Sequence, residues 1–260
     1  MKTLTNFHKI IFVLLAVVAC SLLLFAGCKK GNNKNTATNA TSHICGNVTG
    51  IEAIYWDLMN GIPRTDFPGG VPKVTTIGGS YSNPTFPLLS FIYPPGYTPQ
   101  TDNTSGAVGV NLFRNDNQAI WRYTSIFFSG TTTPQAVLTS EITNLRTFLK
   151  STGAVSTICS QATSLPRAAG ITSNIASAYV QFDSFTAAIN ITITTETGLG
   201  AEQINIVTTA APTSQFASEI TKTFLPLDYQ LLYTGGGEID SDGDGYPDSE
   251  DAFPFDASKH

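Results

Sequence analysis

"SIFFSGTTTPQAVLTSEIT" runs from Ser125 to Thr143, and "QINIVTTAAPTSQFASEIT" from Gln203 to Thr221. The two align without a gap at a constant offset of 78. Pro134 falls on Pro212, Leu138 on Phe216, Ile126 on Ile204 and Phe128 on Ile206, and both segments end in Ser-Glu-Ile-Thr. Each copy reads as an alternating strand, a Thr/Ala-rich turn and a helix. Thr133 is placed to cap the first helix, and Pro134 occupies its first position, where a missing N–H costs nothing. Leu138, Ile142, Leu145 and Leu149 then form one apolar helical face, and Phe216, Ile220 and Phe224 form its counterpart.

A hairpin precedes each copy of the helix. "AVGVNLFR" (107–114), the turn "NDNQ" and "AIWRYTSIFF" (119–128) make the first. "AAINITITT" (187–195), "ETGLG" and "AEQINIV" (201–207) make the second. Earlier strands are expected near "IEAIYWDL" (51–58) and "LLSFIY" (88–93), with "FIYPPGYTP" (91–99) as a loop because consecutive prolines do not suit a central strand. The fold class expected is α+β: an antiparallel sheet with two amphipathic helices from a duplicated β-hairpin–α unit, the helices covering one sheet face. An irregular tail follows.

The 260 residues carry a formal net charge of −5, unevenly placed. Eight of the 19 acidic residues lie from Glu238 onward, and residues 28–237 hold 11 acids against 11 bases. The body is therefore neutral and the tail holds the surplus. No basic patch suited to nucleic acid occurs.

The chain divides into five parts: residues 1–27, an export signal; 28–43, a polar tether; 44–233, the body; 234–239, a Gly-rich linker; and 240–256, the acidic tail. Lys2, His8 and Lys9 lead into the apolar run 10–27, and Ala26-Gly27-Cys28 resembles the lipobox of bacterial lipoproteins. That resemblance implies cleavage before Cys28, lipidation of its thiol, and residence in the bacterial cell envelope, at the outer membrane or cell surface. Cleavage at Cys20, simple secretion or an uncleaved anchor are the alternatives. Cys45 and Cys159 remain, an even pair in an exported chain, and are expected to form a disulfide rather than two buried thiols.

The tail "DSDGDGYPDSEDAFPFD" has the ligand spacing of a calcium loop. Asp240, Asp242, Asp244, Tyr246, Asp248 and Asp251 stand at positions 1, 3, 5, 7, 9 and 12, and Gly245 at the sharp turn. Tyr246 would offer its backbone carbonyl. An EF-hand has Glu at position 12 and a helix on either side, whereas here Asp251 is followed by "AFPFD". The segment instead closely resembles the bacterial thrombospondin type 3 repeat, which implies Ca2+ as the cofactor and a chain wrapped around the ion with little regular structure.

Catalytic patterns are sparse. The histidines are His8, His43 and His260, none of them inside the body, which disfavours a Ser-His-Asp triad or a His-ligated zinc site. A glycosidase-like carboxylate pair has no fixed spacing. Asp57, Asp66, Asp116 and Asp183 are conceivable members, with Trp56 and Trp121 as sugar platforms; turn and core roles are the ordinary alternative. Glu141 and Glu219, equivalent in the repeat, read as solvated helix flanks. The function expected is a calcium-binding, lipid-anchored exported protein with a non-enzymatic body that binds a protein or glycan. The alternative is a secreted glycan-active hydrolase with structural calcium.

Overall fold

The computed structural model describes residues 45–62, 72–168, 170–198 and 200–233. Within Cys45–Leu227 the chain is α+β, built on one seven-stranded antiparallel sheet. Its strands are β3 (Tyr97–Thr101), β4 (Ala107–Arg114), β5 (Ile120–Phe128), β6 (Ser156–Ala168), β7 (Ile171–Phe182), β8 (Phe185–Glu196) and β9 (Glu202–Pro212), in the order β3-β4-β5-β9-β8-β7-β6. A two-stranded ribbon pairs β1 (Gly79–Ser82) with β2 (Ser90–Tyr93). The longer helices are α1 (Gly50–Met59), α2 (Pro134–Phe148) and α3 (Thr213–Glu219), the last running directly into a π-helical turn, Ile220–Phe224. Asp228–Tyr233 belongs to a separate unit and includes a π-helical turn over Tyr229–Tyr233.

Period-two patterning fixes the two sheet faces. Along β8, Ala187, Ile189, Ile191 and Ile193 are fully buried beneath α2, in a core shared with Leu138, Leu145, Ile120, Ile204 and Ile206. Each such isoleucine contributes about 1.5–3 kcal/mol by leaving water. The residues between them face the other way. There Tyr179 meets Trp56 of α1 and Phe216 of α3 edge-on, and Trp121 meets Phe91 of the ribbon. The sheet is thus a middle layer: α2 lies on one face, and α1, α3 and the ribbon lie on the other.

This corrects the expectation that both amphipathic helices cover one face. The strands of the two matching segments, β5 and β9, are central neighbours, and Ile126 pairs directly with its counterpart Ile204. A twofold axis through an antiparallel pair stands normal to the sheet and keeps each face on its own side, so strict symmetry would put both helices together. The connections differ instead. Copy one turns out of the sheet at 129–133, whereas β9 continues through the Thr/Ala run to Pro212 before α3 begins.

Both hairpins form at the expected places, and Thr133 caps α2 by accepting a hydrogen bond from the Ala136 N–H, with Pro134 at the first position. Two segments depart from expectation. "IEAIYWDL" is helix α1, buried without interruption from Ala53 to Met59, because a short apolar run enclosed on all sides shows no period that separates helix from strand. "FIYPPGYTP" is a loop only at 94–96; Pro99 lies inside β3, tolerated because β3 is an edge strand. The hairpin β6–β7 carries the sheet outward, and Cys159 on its edge strand is disulfide-bonded to Cys45.

Candidate functional site

Glu141 and Glu219 are both buried, 2% and 8% exposed, which corrects their expected place on solvated flanks. In α2 the inward stripe is Leu138, Glu141 and Leu145, and Ile142 and Leu149 pack only partly against the core. A carboxylate so placed needs a cation and further donors to offset lost hydration. Glu141 receives the Arg122 guanidinium at 2.5 Å and the Thr208 hydroxyl at 2.8 Å, and Arg122 also reaches Asp102 at 3.2 Å. On the opposite face Glu219 receives Arg114 at 2.7 Å, the Tyr97 hydroxyl at 2.6 Å and Thr223 at 3.1 Å. Burial first, and then the bond to Glu219, push the Tyr97 phenol far above its ordinary range. It therefore stays protonated and donates. Each equivalent glutamate anchors its helix to the sheet through an arginine.

The polar row on the α2 face continues toward the sheet edge. Strand register sets Gln100, Asn111, Arg122 and Thr208 side by side across β3, β4, β5 and β9. Asn111 is 5% exposed, and neither its Oδ1 nor the Arg122 Nε has a hydrogen-bond partner. Beside this row, where α2 ends over the β4–β5 turn, an open hollow of about 330 Å³ is lined by Gln100, Phe113, Asn117, Phe148, Leu149 and Lys150. Phe148 stands edge-on to Phe113 and lies 5.9 Å from the Arg122 guanidinium carbon, giving the hollow an aromatic wall. Two of its residues, Asn117 and Lys150, have positive φ, 56° and 53°. Asparagine tolerates that region, but lysine does so at a cost of about 1–2 kcal/mol. Lys150 takes the place usually held by glycine after a helix: its N–H bonds Thr147, and the next N–H bonds Arg146.

The other residues considered from sequence are dispersed. Trp56 and Trp121 are 1% and 0% exposed, so they are core residues and not sugar platforms. Asp57 is buried within α1. Asp116 and Asp183 lie in the β4–β5 and β7–β8 turns at the same end of the sheet, three strand spacings or roughly 14 Å apart. A glycosidase pair stands at roughly 5–10 Å. Asp66, Cys28 and the tail residues Asp240, Asp242, Asp244, Tyr246, Asp248 and Asp251 lie outside the described residues. Among the described residues no cluster of His, Cys, Asp and Glu could hold a metal ion, and no helix is long and apolar enough to cross a membrane.

Asp183 has a structural task. It sits at φ 50° in the two-residue turn and accepts hydrogen bonds from the Ser151 hydroxyl and the Gly153 N–H. A β-carbon at Gly153 would overlap that carboxylate, which accounts for the glycine. These bonds, Ser151 foremost, hold the Asp183 carboxyl below its ordinary value, and Arg114 does the same for Asp116. A depressed folded pKa adds stability above the ordinary value near 3.8, and that stability disappears as pH falls through the lowered one. Asp183→Asn is therefore expected to flatten the loss of stability below about pH 4, measured by denaturant unfolding from pH 2 to 6.

No protein-family model and no curated protein matches the chain. Among solved structures it is similar to the Ran-binding protein Mog1p of Saccharomyces cerevisiae, at 12% identity and TM-score 0.31, covering 60% of this chain and 91% of that one. A mutant of protein Mog1 matches at 12% identity and TM-score 0.28, covering 56% of this chain and 84% of that one. At such scores the likeness does not establish a common fold.

Proposed function

We propose that the protein is exported and held at a bacterial membrane through a lipid on Cys28, that its tail binds calcium, and that its body is a non-enzymatic binding module for a protein or glycan. The observation that carries the body's part is the state of its chemistry-bearing groups. Glu141 and Glu219 are committed to arginines, the tryptophans are core, and the turn aspartates stand strands apart. What faces solvent at the hollow is an aromatic wall with two amides and an ammonium, groups that recognise and do not turn over.

The donor set of the tail supports calcium. Asp240, Asp242, Asp244, Asp248 and Asp251 supply carboxylates and Tyr246 a carbonyl, hard oxygen ligands in the number calcium takes. Carboxylates so close repel one another, so neutralisation by the ion and ordering of the loop occur together. A duplicated hairpin–helix unit belongs to the same reading, supported by the pairing of Ile126 with Ile204, though not as a strict twofold. Mass spectrometry of the mature chain tests the anchor: an acylated N-terminal Cys28 is expected, and an unmodified chain or another start refutes it.

A further inference from the structure

We infer that the hollow at the end of α2 is a subsite for an acidic sugar, a uronic acid unit of a glycan. The inference rests on the binding-module reading above and gives it a ligand class. Three observations combine. First, its volume of about 330 Å³ lies at the small end of ligand pockets, enough for a single ring and its substituents. Second, its walls match the parts of such a ring. Phe113 and Phe148 offer aromatic surface to C–H groups, Gln100 and Asn117 offer amides to hydroxyls, and Lys150 offers an ammonium to the carboxylate. Asp116, beside Asn117 in the turn, is drawn toward Arg114 at 2.9 Å, a guanidinium it shares with Glu219.

Third, the floor beside the hollow is unsatisfied. Buried polar groups are nearly always hydrogen-bonded. Yet Asn111 Oδ1 and Arg122 Nε, adjacent in register to Gln100, both lack partners. Both atoms are sealed from solvent and lie outside the hollow's lining, so they mark an incompletely satisfied polar floor behind Gln100 and are not themselves ligand contacts. The backbone agrees: Lys150 occupies a conformation that glycine would hold more easily. A strained residue persisting where a simpler one fits points to use of its side chain.

That last point supplies a test free of folding artefacts. Lys150→Gly relieves the strained backbone, so it is expected to raise the melting temperature while removing the ammonium. Full-length mature wild type, Lys150→Gly, Gln100→Ala and Phe148→Ala are titrated with trigalacturonate and with neutral galactotriose by calorimetry. Wild type is expected to prefer the acid. Lys150→Gly should weaken that binding by about tenfold, the loss of one charge-assisted hydrogen bond. Gln100→Ala and Phe148→Ala should weaken both sugars. No binding of trigalacturonate by wild type overturns the acidic-sugar assignment. Binding that all three variants retain overturns the site while leaving a binding module standing. Release of new reducing ends from the trimer would overturn the non-enzymatic reading itself.

Discussion

Reduction of the Cys45–Cys159 disulfide is expected to destabilise the body by about 4–5 kcal/mol. The bond spans 114 positions, so in the unfolded chain it closes a loop that includes β1 to β5 and α2. Its loss restores that loop's entropy to the unfolded state. The native side gives a second reason. Two residues after Cys45, Asn47 donates to the Ile158 carbonyl at 3.1 Å, and α1 begins at Gly50. The disulfide therefore pins the approach to α1 against the sheet's edge strand, while Trp56 and Tyr55 of that helix fill the adjoining face. Equilibrium urea unfolding of oxidised protein and of Cys159→Ser measures the difference. A change below about 1 kcal/mol would contradict it.

Glu141→Ala is expected to cost about 3–5 kcal/mol, because it strands a buried guanidinium. Arg122 has a side chain 11% exposed, and its remaining partner Asp102 is 32% exposed. The Thr208 hydroxyl also loses its acceptor. Replacing both members of the pair, Glu141→Leu with Arg122→Met, should restore most of the loss, since the pair's attraction largely offsets its desolvation. The same change at Glu219 should be milder. Arg114 is 16% exposed there and retains Asp116. A double-mutant cycle read by thermal unfolding separates these terms. Equal, small losses for Glu141→Ala and the double variant would show that the contact is not structural.

Much of the sheet was legible because its central hairpins carry strict alternation and polar turns. "NITIT" in β8 could face only one way, and Thr133-Pro134 marked the start of α2 unambiguously. The hairpin β6–β7 is less legible because Ser, Thr, Ala and Gln fill it, and its edge strand has little apolar period to show. Helix α1 is obscured for the opposite reason: it is enclosed without interruption from Ala53 to Met59, Asp57 included, so no polar face sets a period. The burial of Glu141 and Glu219 is hidden because sequence gives a helix's periodicity but not the breadth of its buried stripe. Glu141 follows Leu138 by three and precedes Leu145 by four, a spacing that permits an inward position. Arg122, between Trp121 and Tyr123 on a strand, is the unusual cation that could have been matched with it. The hollow could not be read at all. Gln100, Phe113, Asn117 and Lys150 meet only through the register of β3 with β4 and the reach of α2 across them.

The tail's aspartates carry the most specific chemistry in the chain, and calcium titration into the full mature protein by calorimetry tests it directly. Binding with a dissociation constant of about 0.1–1 mM is expected, the range of extracellular modules. Asp242→Asn with Asp244→Asn should abolish it. No heat from the wild-type protein at millimolar calcium, or heat that the double variant retains, would contradict a calcium site at Asp240–Asp251.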